Sequence, residues 1–224
     1  MTTPAWARDA DHVQPSPSHF RHLTSRQVRE PLASFPMVFL LVALLGLAFG
    51  AADQQLGTLT SELGPWTSTA AQMSAPWLVL PFLVGTSQQK ARRAAVLGLV
   101  VTASALVGYF AMTYSPLEIH PWTFDRFTSG FVAVTTSGYN PFYILGGLVT
   151  GPLFGLLGQR WRLRRSWVSA AIVTGALCLE PLARWAVGQL MPPAPVWAVE
   201  VAFGVVVATL FTHALLAQRR LESR

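Results

Sequence analysis

Charge, thiols and lysine are what this sequence has least of. Of 224 residues only 12% are Asp, Glu, Lys or Arg; Cys178 is the single cysteine, and of 16 basic residues only Lys90 is lysine. One cysteine excludes an intrachain disulfide and any thiolate metal cluster. There is no HExxH pair for a zinc site and no phosphate-binding GxxxxGK[ST] loop, so zinc and nucleotide chemistry have no motif to stand on. Neither a metal nor another cofactor is expected. The preference for arginine fits a GC-rich bacterial genome, such as that of an actinobacterium.

What fills the chain instead is apolar sequence, 52% of it, with a mean hydropathy of +0.42. Such a composition excludes a disordered chain and does not suit a water-facing domain. The apolar residues fall in blocks rather than stripes, and about 20 residues at 1.5 Å each cross a hydrocarbon core. Six blocks can be drawn, at 36–52, 69–86, 94–113, 141–158, 167–190 and 196–217. The expected fold is an all-α integral membrane bundle of six transmembrane helices in a bacterial plasma membrane. Before it lies a flexible polar arm, 1–35, and after it a basic tail, 218–224. Cleavage of the first block as a signal peptide is disfavoured by the long lead that precedes it.

Pro76 and Pro81 fall inside the second block, and interior proline removes a backbone donor and clashes with the preceding turn, which predicts a kinked or broken helix. Asn140 followed by Pro141 predicts an N-cap and first turn for the fourth block. The stretch 114–139, with Pro116, His120, Trp122 and Gly138, reads as the longest outer connection.

Basic residues alternate from side to side. Four arginines lie in the arm, three basic residues at Lys90 to Arg93, four at Arg160 to Arg165 and three in the tail, which leaves Arg126 and Arg184 elsewhere. By the positive-inside rule this distribution places both termini in the cytoplasm. The net charge of +6 belongs to lipid headgroups, and no nucleic-acid partner is expected.

Three ionisable residues lie within the blocks: Glu180, Arg184 and Glu200. Each costs about 2.5 to 3.5 kcal/mol at a helix centre, so a compensating environment is required. Helical spacing from Leu190 puts Glu180 roughly 15 Å and Arg184 roughly 9 Å below the outer boundary, with Glu200 roughly 6 Å below it on the next helix. Residues four apart share a face, so Glu180 and Arg184 can pair. Two acids and one arginine leave a surplus negative charge, which a polar or cationic ligand or a proton would fill; an ion pair that only pins helices is the structural alternative.

Aromatic and polar residues near the outer ends complete a candidate ligand site: Trp66, Trp122, Tyr139, Asn140 and Asp53. They also fit an interfacial aromatic belt. Small residues mark packing faces, with Ala43, Gly46, Ala48 and Gly50 in the first block and Gly147, Gly151 and Gly155 in the fourth. Faces of this kind serve packing within the chain or docking of a partner subunit.

Enzyme signatures are sparse. Glu180, Arg184 and His213 faintly resemble the pattern of CAAX-protease and bacteriocin-processing membrane proteins, but Leu179 stands where that family has a second glutamate. The Gly85-Thr86-Ser87-Gln88 match to a rhomboid serine motif falls at a turn. The chain is read as a non-enzyme.

With six helices, cytoplasmic ends, a charged outer half and small residues on the first helix, the layout resembles the S component of energy-coupling factor vitamin transporters. It is also similar to uncharacterised actinobacterial six-helix membrane families. The S-component resemblance implies an outer-facing small-molecule site on helices four to six, and a coupling transmembrane subunit with ATPases meeting Ala43, Gly46, Ala48 and Gly50. Binding of a small solute, with or without transport, is the expected function. The alternatives are a noncatalytic assembly subunit of a membrane complex and an intramembrane enzyme that uses Glu180.

Overall fold

Apolar sequence this continuous has one way to satisfy its backbone in lipid, which is helix. The computed structural model describes residues 34–113, 123–189 and 194–222, and no strand occurs among them. The expected arm lies outside the described residues but for its last two positions; Trp122 and most of the turn before the sixth block also lie outside them. The helices are α1 (Ser34–Thr58), α2 (Thr60–Leu63), α3 (Trp66–Ala70), α4 (Ala75–Thr86), α5 (Ala91–Thr113), α6 (Phe124–Thr136), α7 (Asn140–Arg164), α8 (Trp167–Ala186) and α9 (Ala194–Glu222). Pro36–Arg224 forms one unit.

Five helices are long and apolar enough to cross a membrane: α1 from Phe35, α5, α7, α8, and α9 as far as Leu221. Their outer surfaces stay apolar. The most hydrophobic window of α9 is only 11% buried, and Val199, Phe203, Val206 and Leu210 stand exposed along it. Water would penalise such a surface by about 25 cal/mol per Å², whereas acyl chains do not. The chain is a multi-pass membrane protein.

The second expected span, 69–86, is broken. A turn at Ala71–Ser74 separates the five-residue α3 from α4, whose 12 residues reach only about 18 Å. Pro76 sits in the first turn of α4, where its missing N–H costs nothing. Pro81 lies inside the same helix and is fully buried.

Although short, α4 is the strut of the bundle. On one flank Val84 packs with Leu97 and Val101 of α5, joined by Val38 and Val42 of α1. On the other flank Phe82 joins Phe154 and Trp161 of α7 and Val173 and Leu177 of α8. Phe211 of α9 closes that cluster, with its ring 4.2 Å from Trp161 and 5.9 Å from Phe82.

Glycine makes these contacts close. A Cβ added to Gly155 would collide with the Ala94 carbonyl of α5, and one added to Gly85 of α4 with the Gly155 carbonyl. Gly151 faces Thr102 and Gly98, and Gly147 lies more loosely beside Leu106 and Thr102. The α1 face is used in the same way, because a Cβ at Gly46 would meet Val101 and one at Gly50 would meet Ala105. Gly46 and Gly50 are therefore covered by α5 and are not free to dock a coupling subunit. Of the other small residues on α1, Ala43 is half-buried and Ala48 exposed.

Several boundaries differ from expectation. Helix α1 runs past Asp53 to Thr58, since Gln54, Gln55 and Leu56 are compatible with helix and only Gly57 opposes it. Arg160 to Arg164 are the last turns of α7 rather than a loop, and α5 begins at Ala91, within the first basic cluster. The tail from Gln218 continues α9 as far as Glu222, and α8 stops at Ala186 rather than near Leu190. The connection between α5 and α7 contains α6, started by Thr123, whose hydroxyl accepts from the Arg126 N–H at 3.4 Å.

The two basic clusters lie at one end of α4. Arg162 Nη1 donates to the carbonyls of Thr86 and Ser87 at 3.1 and 2.7 Å, and Gln159 Nε2 donates to Gln89 at 3.0 Å. These bonds satisfy carbonyls that a helix C-terminus leaves open.

Candidate functional site

At the other end of α4, the break leaves backbone groups without helical partners. Helix α8 supplies partners for them. The Ser74 N–H donates to Glu180 Oε1 at 2.7 Å, and Arg184 Nη2 donates to the Gln72 carbonyl. Arg184 Nε holds the same Glu180 oxygen at 2.8 Å, and Nη2 also lies 3.3 Å from Ser74 Oγ. One ion pair thus binds a donor and an acceptor of the interrupted backbone.

Helix α9 closes the site from the opposite side. Its Trp197 is buried, with the Arg184 guanidinium carbon 5.4 Å from the ring centroid, the arrangement of a cation on an aromatic face. One turn further, Glu200 is 2% exposed, and its carboxyl lies within hydrogen-bonding reach of the Glu180 carboxyl. Glu180 and Glu200 are each six residues from the helix end that faces the break, or about 9 Å along the axis. Glu180 is thus shallower than expected and level with Glu200.

Three carboxylate oxygens in this cluster, Glu180 Oε2 and both oxygens of Glu200, are buried without a hydrogen-bond donor among the described residues. Such groups are costly to bury, and each calls for a partner such as water, an ion or a shared proton. The residues α3 and α4 bring near the cluster include no ionisable side chain. Among the described residues, Arg184 is thus the positive charge set against the two acids.

The structure brings together three of the expected site residues, Glu180, Arg184 and Glu200, and separates others from them. Asp53, near the end of α1, is 9% exposed and accepts from Trp77 Nε1 at 3.2 Å. The Trp77 ring packs edge-on between Phe49 and Tyr109, at 5.3 and 5.9 Å. This is a second buried carboxylate centre, between α1, α4 and α5. Trp66 on α3 donates to the Leu63 carbonyl at 2.8 Å. Tyr139 is exposed. Asn140 does not cap α7, because Tyr139 holds the cap position, and its amide donates instead to the Val134 carbonyl at 2.8 Å, which ties α7 to the end of α6.

Sequence reasoning missed Gln72, Ser74 and Trp197. A signal for the first two existed: Gln72 and Ser74 interrupt an apolar block immediately before Pro76. Trp197 lies three residues before Glu200 and so shares its face.

Fold and cluster together define a multi-pass helical membrane protein with a buried acid and arginine centre beside a broken helix. The chain belongs to DUF6518, a family of unknown function whose sequence profile matches residues 29–222. Neither a curated protein nor a solved structure matches it.

Proposed function

We infer that this protein binds a small polar or cationic solute from the outer face of a bacterial plasma membrane, with Glu180, Arg184 and Glu200 as anchors. The single observation that carries the reading is the set of three buried carboxylate oxygens lacking donors among the described residues. They leave an excess of negative charge where a bound cation or hydrogen-bond donor would be stabilised. The broken α3 to α4 segment supports it as well, since irregular backbone at membrane depth is kept where it lines a site.

In this reading α4 with its broken lead is a sixth crossing, and both termini are cytoplasmic. The basic clusters joined by Arg162 and Gln159 face the cytoplasm, and the Glu180 cluster faces outward. The arrangement resembles an S component in that respect. A coupling subunit with ATPases would have to meet a surface other than Gly46 and Gly50.

The test is ligand-dependent thermal stabilisation of the purified full chain against a panel of amines, amino acids and vitamin-like cations. A hit abolished by both Glu200→Gln and Glu180→Gln supports the reading. Stabilisation that survives both substitutions removes these residues from the site.

A further inference from the structure

Two carboxylates in contact present only acceptors to each other. Glu180 and Glu200 do this across the α8 to α9 interface, and all three of their donor-free oxygens are buried. Arg184 engages only Glu180 Oε1 of the pair, leaving the contact between the acids uncompensated.

Among the described residues, Arg184 is the cation beside the pair, and the other groups around it are neutral. Ser74 presents its N–H and Oγ and Gln72 its carbonyl from the break, and these groups bind Glu180 and Arg184. Helix α3 contributes Thr67 and Thr69, and α4 has no ionisable side chain. On α9 the neighbouring buried side chain is Trp197. Arg184 on α8 is the facing cation, and Asp53 is engaged with Trp77.

We propose that Glu180 and Glu200 form an acid pair that binds one exchangeable proton, held between their carboxyl oxygens and taken from water on the Ser74 side of the bundle. The proton turns one carboxylate into a carboxylic acid that donates to the other, and no bond other than O–H forms or breaks. Loaded, the pair and Arg184 carry no net charge; unloaded, they carry one negative charge beside the broken helix. Like charges in contact and out of water do not both ionise readily, and the two states differ by the charge a cationic solute would replace.

The inference uses the cluster of the solute reading but needs no solute. The experiment is infrared difference spectroscopy of the full chain in lipid nanodiscs, without added solute, across a pH titration in sodium-free buffer. A protonated-carboxyl stretch that shifts in D2O is expected in the wild type. A component of it should persist in Asp53→Asn and be lost in Glu200→Gln, whose amide keeps the shape of the site and donates to Glu180.

Absence of that band in the wild type, or its loss in Asp53→Asn with retention in Glu200→Gln, overturns the proposal. So does thermal stabilisation of the wild type by sodium over choline that Glu200→Gln abolishes, since a metal cation would then occupy the pair. If Glu200→Gln does not fold, the wild-type band and the sodium comparison still decide. A band that persists while every solute fails keeps the acid pair and removes the solute reading; solute-dependent stabilisation without a band does the reverse.

Discussion

Ser74 and Glu180 lie 106 residues apart in the chain, and the backbone N–H of the first donates to the carboxylate of the second at 2.7 Å. The bond ties the start of α4 to the C-terminal third of α8. Arg184 reinforces it from the next turn by reaching the Gln72 carbonyl. The interrupted α3 to α4 segment is thus held by a charged pair, not by apolar contact alone.

Removing Arg184 should therefore cost more than an exposed ion pair would. Arg184→Ala leaves Glu180 and Glu200 facing each other with no cation and frees the Gln72 carbonyl. Breaking a buried pair on one side costs about 3 to 5 kcal/mol; with the Arg184 side chain 20% exposed, the lower end of that range is expected. Thermal unfolding in detergent reads it directly. Arg184→Lys should recover only part of the loss, because an ammonium cannot hold Glu180, Ser74 and Gln72 in one plane. Full recovery by lysine would mean that charge alone matters.

The glycine seams make a sharper contrast. Gly85→Ala and Gly155→Ala each drive a methyl into a backbone carbonyl, while Gly146 has nothing within 4 Å of its added Cβ. Overpacking costs about 1 to 3 kcal/mol, so the first two variants should lose stability on that scale. Gly146→Ala should match the wild type or exceed it, since alanine favours helix over glycine by about 1 kcal/mol. Equal melting of all three would contradict the seam.

The Asp53 centre predicts non-additivity. Trp77→Phe keeps the ring contacts with Phe49 and Tyr109 but removes the donor to Asp53, leaving a buried carboxylate unmatched at a cost of about 1 to 3 kcal/mol. Asp53→Leu in the same background removes the acceptor too. The double variant should then be more stable than the sum of the two single effects allows, a coupling that a double-mutant cycle measures. Additive losses would show that the 3.2 Å contact contributes no stability.

Much of this was legible from residue types. Pro76 marked the break that precedes α4, whereas Pro81 lies within an unbroken helix; the spacing of Glu180 and Arg184 marked their pair. The glycine repeats marked the α7 seam. What the sequence could not show was which surface each repeat meets. Gly46 and Gly50 suited packing within the chain or docking of a partner, and α5 covers them. Asn140 misled for a related reason: Asn followed by Pro satisfies the local rule for a helix start, yet its side chain found the Val134 carbonyl of α6, a tertiary partner. Helix ends were misplaced after Asp53, at Arg160 to Arg164 and from Gln218, because arginines and glutamines can follow an apolar block without stopping a helix.

Orientation is the remaining prediction, and Arg162 is its best probe. Its guanidinium caps the C-terminus of α4 through Thr86 and Ser87, so the Lys90 and Arg165 regions must share one side of the membrane whichever side that is. The positive-inside rule assigns that side to the cytoplasm. Truncation fusions to a paired phosphatase and fluorescent reporter should then give fluorescence after Arg165 and phosphatase activity after Gly64. Opposite signals at Gly64 and Arg165 with reversed identity would invert the bundle and put the Glu180 cluster on the cytoplasmic side. Identical signals at both positions would break the alternation itself and remove α4 as a crossing. Arg162→Ala gives an independent check, since loss of the cap should lower the melting temperature while the reporter pattern stays fixed by the remaining arginines.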